Sequence, residues 1–359
     1  LATAFREQKD EDSAQQYVHF PNLKANIFMV LIVKTINKYL KIICCLFVVT
    51  GCSNAHKGEL HFVEPSKTDK FNFPYYLFVP HNVNKDNMTF IVVEPNNTGF
   101  ADDDLQKHSA KAERMATKDF YIGRYVAGEL NFPLLVPVFP RSKTNWEVYT
   151  HALDRDAMLQ AGNKLERIDL QLIAMFDDAR ALLKTKGIVT NEKILLTGFS
   201  ASGTFANRFT LLHPEKVFAV AAGGLNGLLM LPEDSLNGND LNYPLGINDF
   251  EVVTGNEFQI DLFKDVPQLY FMGELDDNDA VPYSDAYSQD ERETIYDLIG
   301  SDEMLPKRWD FCKTVYQQND INAQIKVFKG IGHEQPDEVK KGVVNFFERE
   351  LTRGGIEHN

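Results

Sequence analysis

Apolar blocks and helical patterns alternate along most of this chain. Largely apolar runs stand at 60–63, 75–79, 90–93, 134–139, 194–196, 217–221, 267–272 and 325–328. The first two read as antiparallel strands. The run at 90–93 has no polar alternation, as a central strand buried on both faces requires. Between the strands, Leu172, Phe176, Ala179 and Leu183 recur at i, i+4, i+7 and i+11, the spacing of an amphipathic helix, which Gly187 ends. A longer helical stretch covers 102–130. The helix that follows Ser200 stops before Pro214. The last helix opens at Pro336, with Asp337 and Glu338 at its positive end and Val339, Val343 and Phe347 as its inner stripe. Such alternation predicts an α/β domain with a doubly wound, mostly parallel sheet flanked by helices. Two inserts break the rhythm. One follows Gly224 and contains Leu228-Leu-Met-Leu231; the other covers 283–308. Long loops in compact domains are often functional, so the first is expected to cover part of a site.

The stretch before residue 52 departs from this pattern. Residues 1–28 are mostly polar and unpatterned. From Met29, three lysines (Lys34, Lys38, Lys41) precede the apolar core 42–49, which is shorter than the ~20 residues a bilayer requires. The core closes with Val49-Thr50-Gly51-Cys52, which resembles the bacterial lipoprotein cleavage box. That resemblance implies a diacylglycerol on Cys52 and a protein held at a membrane outside the cytoplasm. The expected organisation is 1–51, upstream segment and signal peptide; 52–70, tether and first strand; 71–359, catalytic domain.

The strand at 194–196 runs into Gly198-Phe-Ser200-Ala-Ser202-Gly203. A sharp strand-to-helix turn brings the residues two before and two after its apex together, so both must be small, and it lifts the apical hydroxyl clear of the backbone. Gly198 and Ser202 meet that demand, although G-x-S-x-G usually has glycine in the last place. The bland reading of Ser200 is a helix N-cap, which serine favours. A serine nucleophile needs a base, and the base needs an orienting acid. Three histidines follow Ser200: His213, His333 and His358. His213 falls at the far end of the same helix and His358 beside the chain end, which leaves His333, just past a strand in Gly330-Ile-Gly332-His333. The acid is sought after the strand 267–272, in Gly273-Glu-Leu-Asp276-Asp277-Asn278-Asp279. Asp276 is preferred and Asp279 is the alternative. The spacing of these carboxylates does not match a calcium loop.

These three segments together resemble the α/β-hydrolase superfamily over about residues 71–351, without a large cap domain. Tyr75-Tyr-Leu-Phe-Val-Pro80 and Asn278-Asp279-Ala-Val-Pro282 are similar to the branch of secreted esterases related to polyhydroxyalkanoate depolymerases and feruloyl esterases. The resemblance implies a Ser200–Asp276–His333 triad and an oxyanion hole. One donor of that hole is the N–H of Ala201; the other comes from Asn97 or Thr98, in the loop after 90–93. Trp146 and Tyr149, in the loop after 134–139, are candidates to line the pocket. No metal or organic cofactor is expected. Two rivals stay open: a peptidase of the same superfamily, which usually carries a large extra domain, and a binding lipoprotein that keeps the fold without catalysis.

Composition narrows the partners. The 359 residues carry a net charge of −14, which argues against nucleic acid and against adsorption to anionic lipid. The expected partners are an ester substrate and, through the anchor, a membrane. Of four cysteines, Cys44 and Cys45 fall in the signal and Cys52 takes the lipid. Cys312 then remains alone, which excludes an internal disulfide or a cysteine-based zinc site in the domain. Its neighbours Trp309, Phe311 and Val315 mark it as a core residue.

Overall fold

The computed structural model describes residues 57–225 and 227–356. The chain falls into two units, Leu1–Ala55 and His56–Asn359, and the described residues all belong to the second. The export signal, Cys52, most of the tether and His358 lie outside the described residues.

In chain order the elements are β1 Gly58–Val63, β2 Tyr75–Pro80, β3 Val92–Val93, α1 Leu105–Thr117, α2 Ile122–Leu130, β4 Leu134–Pro137, α3 Arg155–Met158 and α4 Ile168–Thr185. Then follow β5 Ile194–Phe199, α5 Ala201–Leu212, β6 Val217–Gly223, a hairpin of β7 Ser235–Leu236 and β8 Asn239–Asp240, α6 Phe250–Thr254 and α7 Ile260–Asp265. The chain continues through β9 Gln268–Gly273, α8 Gln289–Ile299, α9 Trp309–Gln318, β10 Ala323–Phe328 and α10 Asp337–Arg353.

Eight strands form one sheet in the order β1-β2-β4-β3-β5-β6-β9-β10. Pairing is antiparallel between β1 and β2 and between β2 and β4, and parallel from β4 onward. The doubly wound, mostly parallel sheet expected from the alternation is therefore present. Both of its faces are covered. Ile194 and Leu196 of β5 enter one hydrophobic cluster and Leu195 the other, because successive side chains point to opposite faces. An apolar run without polar alternation is the result. The parallel strands β5, β6, β9 and β10 end at the same edge, so the loops after β5, β9 and β10 gather there, where open α/β sheets bind ligands.

Several boundaries differ from the pattern. The helical stretch 102–130 is two helices, since Lys118 adopts an extended conformation (φ −113, ψ 123) after α1; no Gly or Pro marks the break. Only Val92 and Val93 of the run at 90–93 are strand, although Phe90 and Ile91 are buried as well. The second insert is largely helical. Ser288 and Glu291 close a capping box on α8, an S-x-x-E signal present in the sequence. Behind it, Trp309, Cys312, Val315 and Tyr316 form the inner stripe of α9, and burial pushes the Cys312 thiol up to about 12.

Glu94, directly after β3, is 1% exposed and accepts the Gly123 N–H at 3.0 Å. A Cβ at Gly123 would stand 2.5 Å from Glu94 Oε2, so the start of α2 packs on this carboxyl. Burial raises its pKa from 4.5 to about 8, with the Gly123 hydrogen bond acting in the opposite direction. An acid raised on folding contributes stability that is fully present below its ordinary pKa and is lost as pH rises through the folded value. The thermal midpoint should therefore fall between pH 5 and pH 8. Glu94→Gln keeps an acceptor for Gly123 and should flatten that fall, leaving the variant about 2 kcal/mol or more above wild type at pH 8. Parallel pH profiles for the two proteins would refute this role.

Candidate active site

Ser200 stands between β5 and α5 with φ 63 and ψ −131. This conformation is close to one that only glycine adopts readily, and for other residues it costs roughly 1–3 kcal/mol. The surroundings hold it there. The Ser200 N–H donates to Gly223 O at 2.9 Å, and its carbonyl accepts the Thr204 N–H at 3.0 Å. A Cβ at Gly198 would stand 2.3 Å from Ser202 O, and one at Gly203 2.5 Å from Gly223 O. The buried Ser202 hydroxyl accepts the Phe199 N–H and donates to Phe199 O, both at 2.9 Å. Serine in the usual glycine place thus ties the turn together. The Ser200 hydroxyl itself has no hydrogen-bond partner among the described residues, and the residue is partly exposed.

The loops after β9 and β10 are stitched together. Leu275 N–H donates to Ile331 O and Glu274 N–H to Phe328 O, both at 2.8 Å. A Cβ at Gly273 would meet Ile331 O at 2.3 Å. In this frame His333 Nδ1 donates to Asp276 Oδ2 at 2.9 Å, while Asp276 Oδ1 accepts the Asn278 N–H at 3.1 Å. The Asp276 side chain is fully buried and the His333 ring is 24% exposed. Asp279, the alternative acid, is engaged elsewhere: its two oxygens accept from the buried Arg308 guanidinium at 2.7 and 3.1 Å. His213 caps α5 at its far end, where it bonds the buried Asp169 at 2.8 Å.

The His333 ring lies beside the serine turn. Its centroid is 4.8 Å from that of Phe199, and a Cβ at Gly224 would stand 3.0 Å from His333 Cε1. No hydrogen bond joins His333 to Ser200 in this conformation. Nε2 faces the Asn278 carboxamide nitrogen at 3.1 Å instead. With Nδ1–H directed at Asp276, the Nε2 lone pair is the acceptor of that contact. The asparagine belonged to the recognised Asn278-Asp279-Ala-Val-Pro282 run, yet nothing in the pattern pointed to this contact.

Ala201 is the first residue of α5, so its N–H has no intrahelical acceptor. The other expected donors are placed differently. The Asn97 N–H points at Met115 Sδ, 3.5 Å away, and the Thr98 N–H at His151 Nδ1, also 3.5 Å. The Thr98 hydroxyl bonds His108 Nδ1 at 2.6 Å. Burial lowers the His151 pKa to about 3, so the ring is neutral and donates through Nε2 to Phe139 O at 2.8 Å. Thr98 is thereby tied into a buried network under the loop rather than presented to the turn. Asn97 reaches the turn with its side chain, as Nδ2 donates to Phe199 O at 3.4 Å. Sequence gave no sign of this, because the two histidines that fix Thr98 come from α1 and from the loop after β4. In that second loop, Tyr149 lines a small cavity with Ala201, whereas Trp146 is 44% exposed and borders a separate cleft with Arg155 and Tyr287.

No family model and no curated protein matches this chain. Among solved structures it is similar to poly(aspartic acid) hydrolase-1 from Sphingomonas sp. KT-1, at 14% identity and a TM-score of 0.52, over 81% of this chain and 97% of the other. An S-formylglutathione hydrolase from Agrobacterium tumefaciens is also similar, at 14% identity and a TM-score of 0.49, over 84% and 97%. With the sheet order above, the first likeness establishes that this chain has the α/β-hydrolase fold. At that identity the likeness extends to the fold alone.

Proposed function

We propose that this protein is a serine hydrolase acting on carboxylic esters through an acyl-enzyme intermediate. The observation that carries the reading is the Asp276–His333 hydrogen bond of 2.9 Å, set beside a serine held at φ 63 at the head of a helix. Ser200 Oγ attacks the ester carbonyl while His333 Nε2 takes its proton. His333 then passes that proton to the leaving alkoxide, and a water molecule repeats the sequence to release the acid. Asp276 keeps the proton on Nδ1 and so leaves Nε2 basic. The Ala201 N–H and the Asn97 carboxamide are the proposed donors for the oxyanion. Losing one such donor typically costs ~3 kcal/mol, or about 10²-fold in rate.

Two experiments test this. A protein beginning after Cys52 should turn over p-nitrophenyl acetate, and Ser200→Ala should not. A fluorophosphonate probe should label the first protein at Ser200 and leave the variant unlabelled. Equal rates and no labelling would favour the non-catalytic binding lipoprotein. Cleavage of amides in preference to esters would favour the peptidase. Placement at an envelope membrane through Cys52 belongs to the same reading, supported by the Val49-Thr50-Gly51-Cys52 box. Incorporation of labelled palmitate into the full chain, lost in Cys52→Ser, is the expected result.

The Asn278 contact adds a directional expectation. Its N–H must leave Nε2 before the lone pair can take the serine proton. Asn278→Ala should therefore raise kcat/KM on p-nitrophenyl acetate about fivefold, in line with the ~1 kcal/mol net worth of one hydrogen bond. A fall in rate would show that the contact positions the ring and does not restrain it.

A further inference from the structure

We infer that a buried arginine beside the serine turn selects substrates carrying a carboxylate a few bonds from the scissile carbonyl; the inference rests on the hydrolase reading above. Ala201, Thr204 and Arg208 follow one another along one face of α5 and line a cavity of about 30 Å³. Tyr287, from the second insert, and Gly227, from the first, are further walls. A water molecule needs about 10–15 Å³ by this measure, so the space suits a group of two or three heavy atoms, the size of a carboxylate.

The charge state of the cavity is unusual. Arg208 is 1% exposed. The other buried arginines each meet a carboxylate: Arg124 with Asp119 at 3.0 Å, Arg141 with Asp285 at 2.6 Å and Arg308 with Asp279 at 2.7 Å. Arg208 forms no ion pair among the described residues. Its two terminal nitrogens donate to Ala152 O at 3.0 Å and to the Tyr287 hydroxyl at 3.2 Å, and Nε has no partner. The carboxyls whose fields reach it are committed elsewhere. Asp154 accepts the Ala157 and Tyr149 N–H groups at 2.9 and 3.1 Å, and Glu291 accepts the Ser288 N–H at 2.8 Å. A buried cation without a carboxylate is costly, and an arriving anion relieves that cost.

The remaining walls donate as well. The Tyr287 hydroxyl accepts from Arg208 and from the Leu228 N–H at 3.1 Å. Both lone pairs are then taken and its own proton is left to give. The Thr204 hydroxyl has no partner among the described residues. Arg208, Tyr287 and Thr204 line the same cavity, and the Arg208 Nε, the Tyr287 proton and the Thr204 hydroxyl have no acceptor among the described residues. A positive guanidinium beside two hydroxyl donors is an arrangement that recognises a carboxylate.

The test compares monoethyl glutarate with ethyl pentanoate, esters of equal acyl length that differ in the terminal charge, at constant ionic strength. Wild type should prefer the first by about tenfold or more in kcat/KM, and Arg208→Met should bring the ratio of the two near one. An unchanged ratio in a folded Arg208→Met protein, or no preference in wild type, overturns the inference. Arg208→Met also removes bonds to Ala152 and Tyr287 and can fail to fold, so a second measurement keeps Arg208 intact. Ser200→Ala protein should bind glutarate at least about tenfold more tightly than glutaramide; equal affinities overturn the inference. Failure of wild type to hydrolyse any ester, p-nitrophenyl acetate included, ends the hydrolase reading alone, because the glutarate comparison does not depend on turnover.

Discussion

Ser200→Ala is expected to lower ester turnover by at least about 10⁴-fold, and Ser200→Gly to do the same while making the protein more stable than wild type. The first loss follows from removing the hydroxyl that the proposed mechanism uses as the acyl carrier. The stability gain has a separate origin. At φ 63 and ψ −131 a Cβ is strained in either serine or alanine, and glycine alone relieves it, which is worth about 1–2 kcal/mol. Thermal unfolding of the three proteins checks the order: glycine above serine, with alanine no better than serine. If glycine gave no gain, the turn would not be under strain. If alanine retained activity, the nucleophile would lie elsewhere.

The second large effect separates two aspartates three residues apart. Asp276→Asn should reduce kcat by about 10⁴-fold with little change in stability. An amide turned toward Nδ1 donates where the carboxylate accepted, so the ring proton moves to Nε2 and the base is lost. Asp279→Asn should do the opposite. It withdraws the carboxylate from Arg308, which is 1% exposed and bonded at 2.7 and 3.1 Å. Leaving a buried charge without its partner costs about 3 kcal/mol or more, while the folded fraction should keep its turnover. Activity per folded molecule, measured beside a urea unfolding curve, distinguishes the two. A catalytic defect in Asp279→Asn with intact Asp276 would exchange their roles.

Legibility in the sequence followed locality. The serine turn was readable because its requirement is written within six residues: Gly198, Ser202 and Gly203 are small for reasons of contact at short range. The strands were readable because a sheet covered on both faces needs unbroken apolar runs. Asp276 and Asp279 stood as alternatives because Arg308, which engages Asp279, enters from the second insert. The candidate for a second oxyanion donor was equally hidden. Asn97 and Thr98 are adjacent, and Thr98 is held by the buried His108 and His151, which come from distant segments. Arg208 lies within the helix after Ser200, and nothing local in the sequence shows that no carboxylate bonds it. The break at Lys118, an extended residue between two helices, left no Gly or Pro signal.

The depth of Cys312 has a practical reading. In a protein that begins after residue 52 it is the sole thiol, and at 1% exposure, with its pKa pushed up to about 12, it offers Ellman's reagent almost no thiolate while α9 is in place. Colour development in that assay then counts opening events of α9, giving each variant a clock for unfolding without any added dye or label.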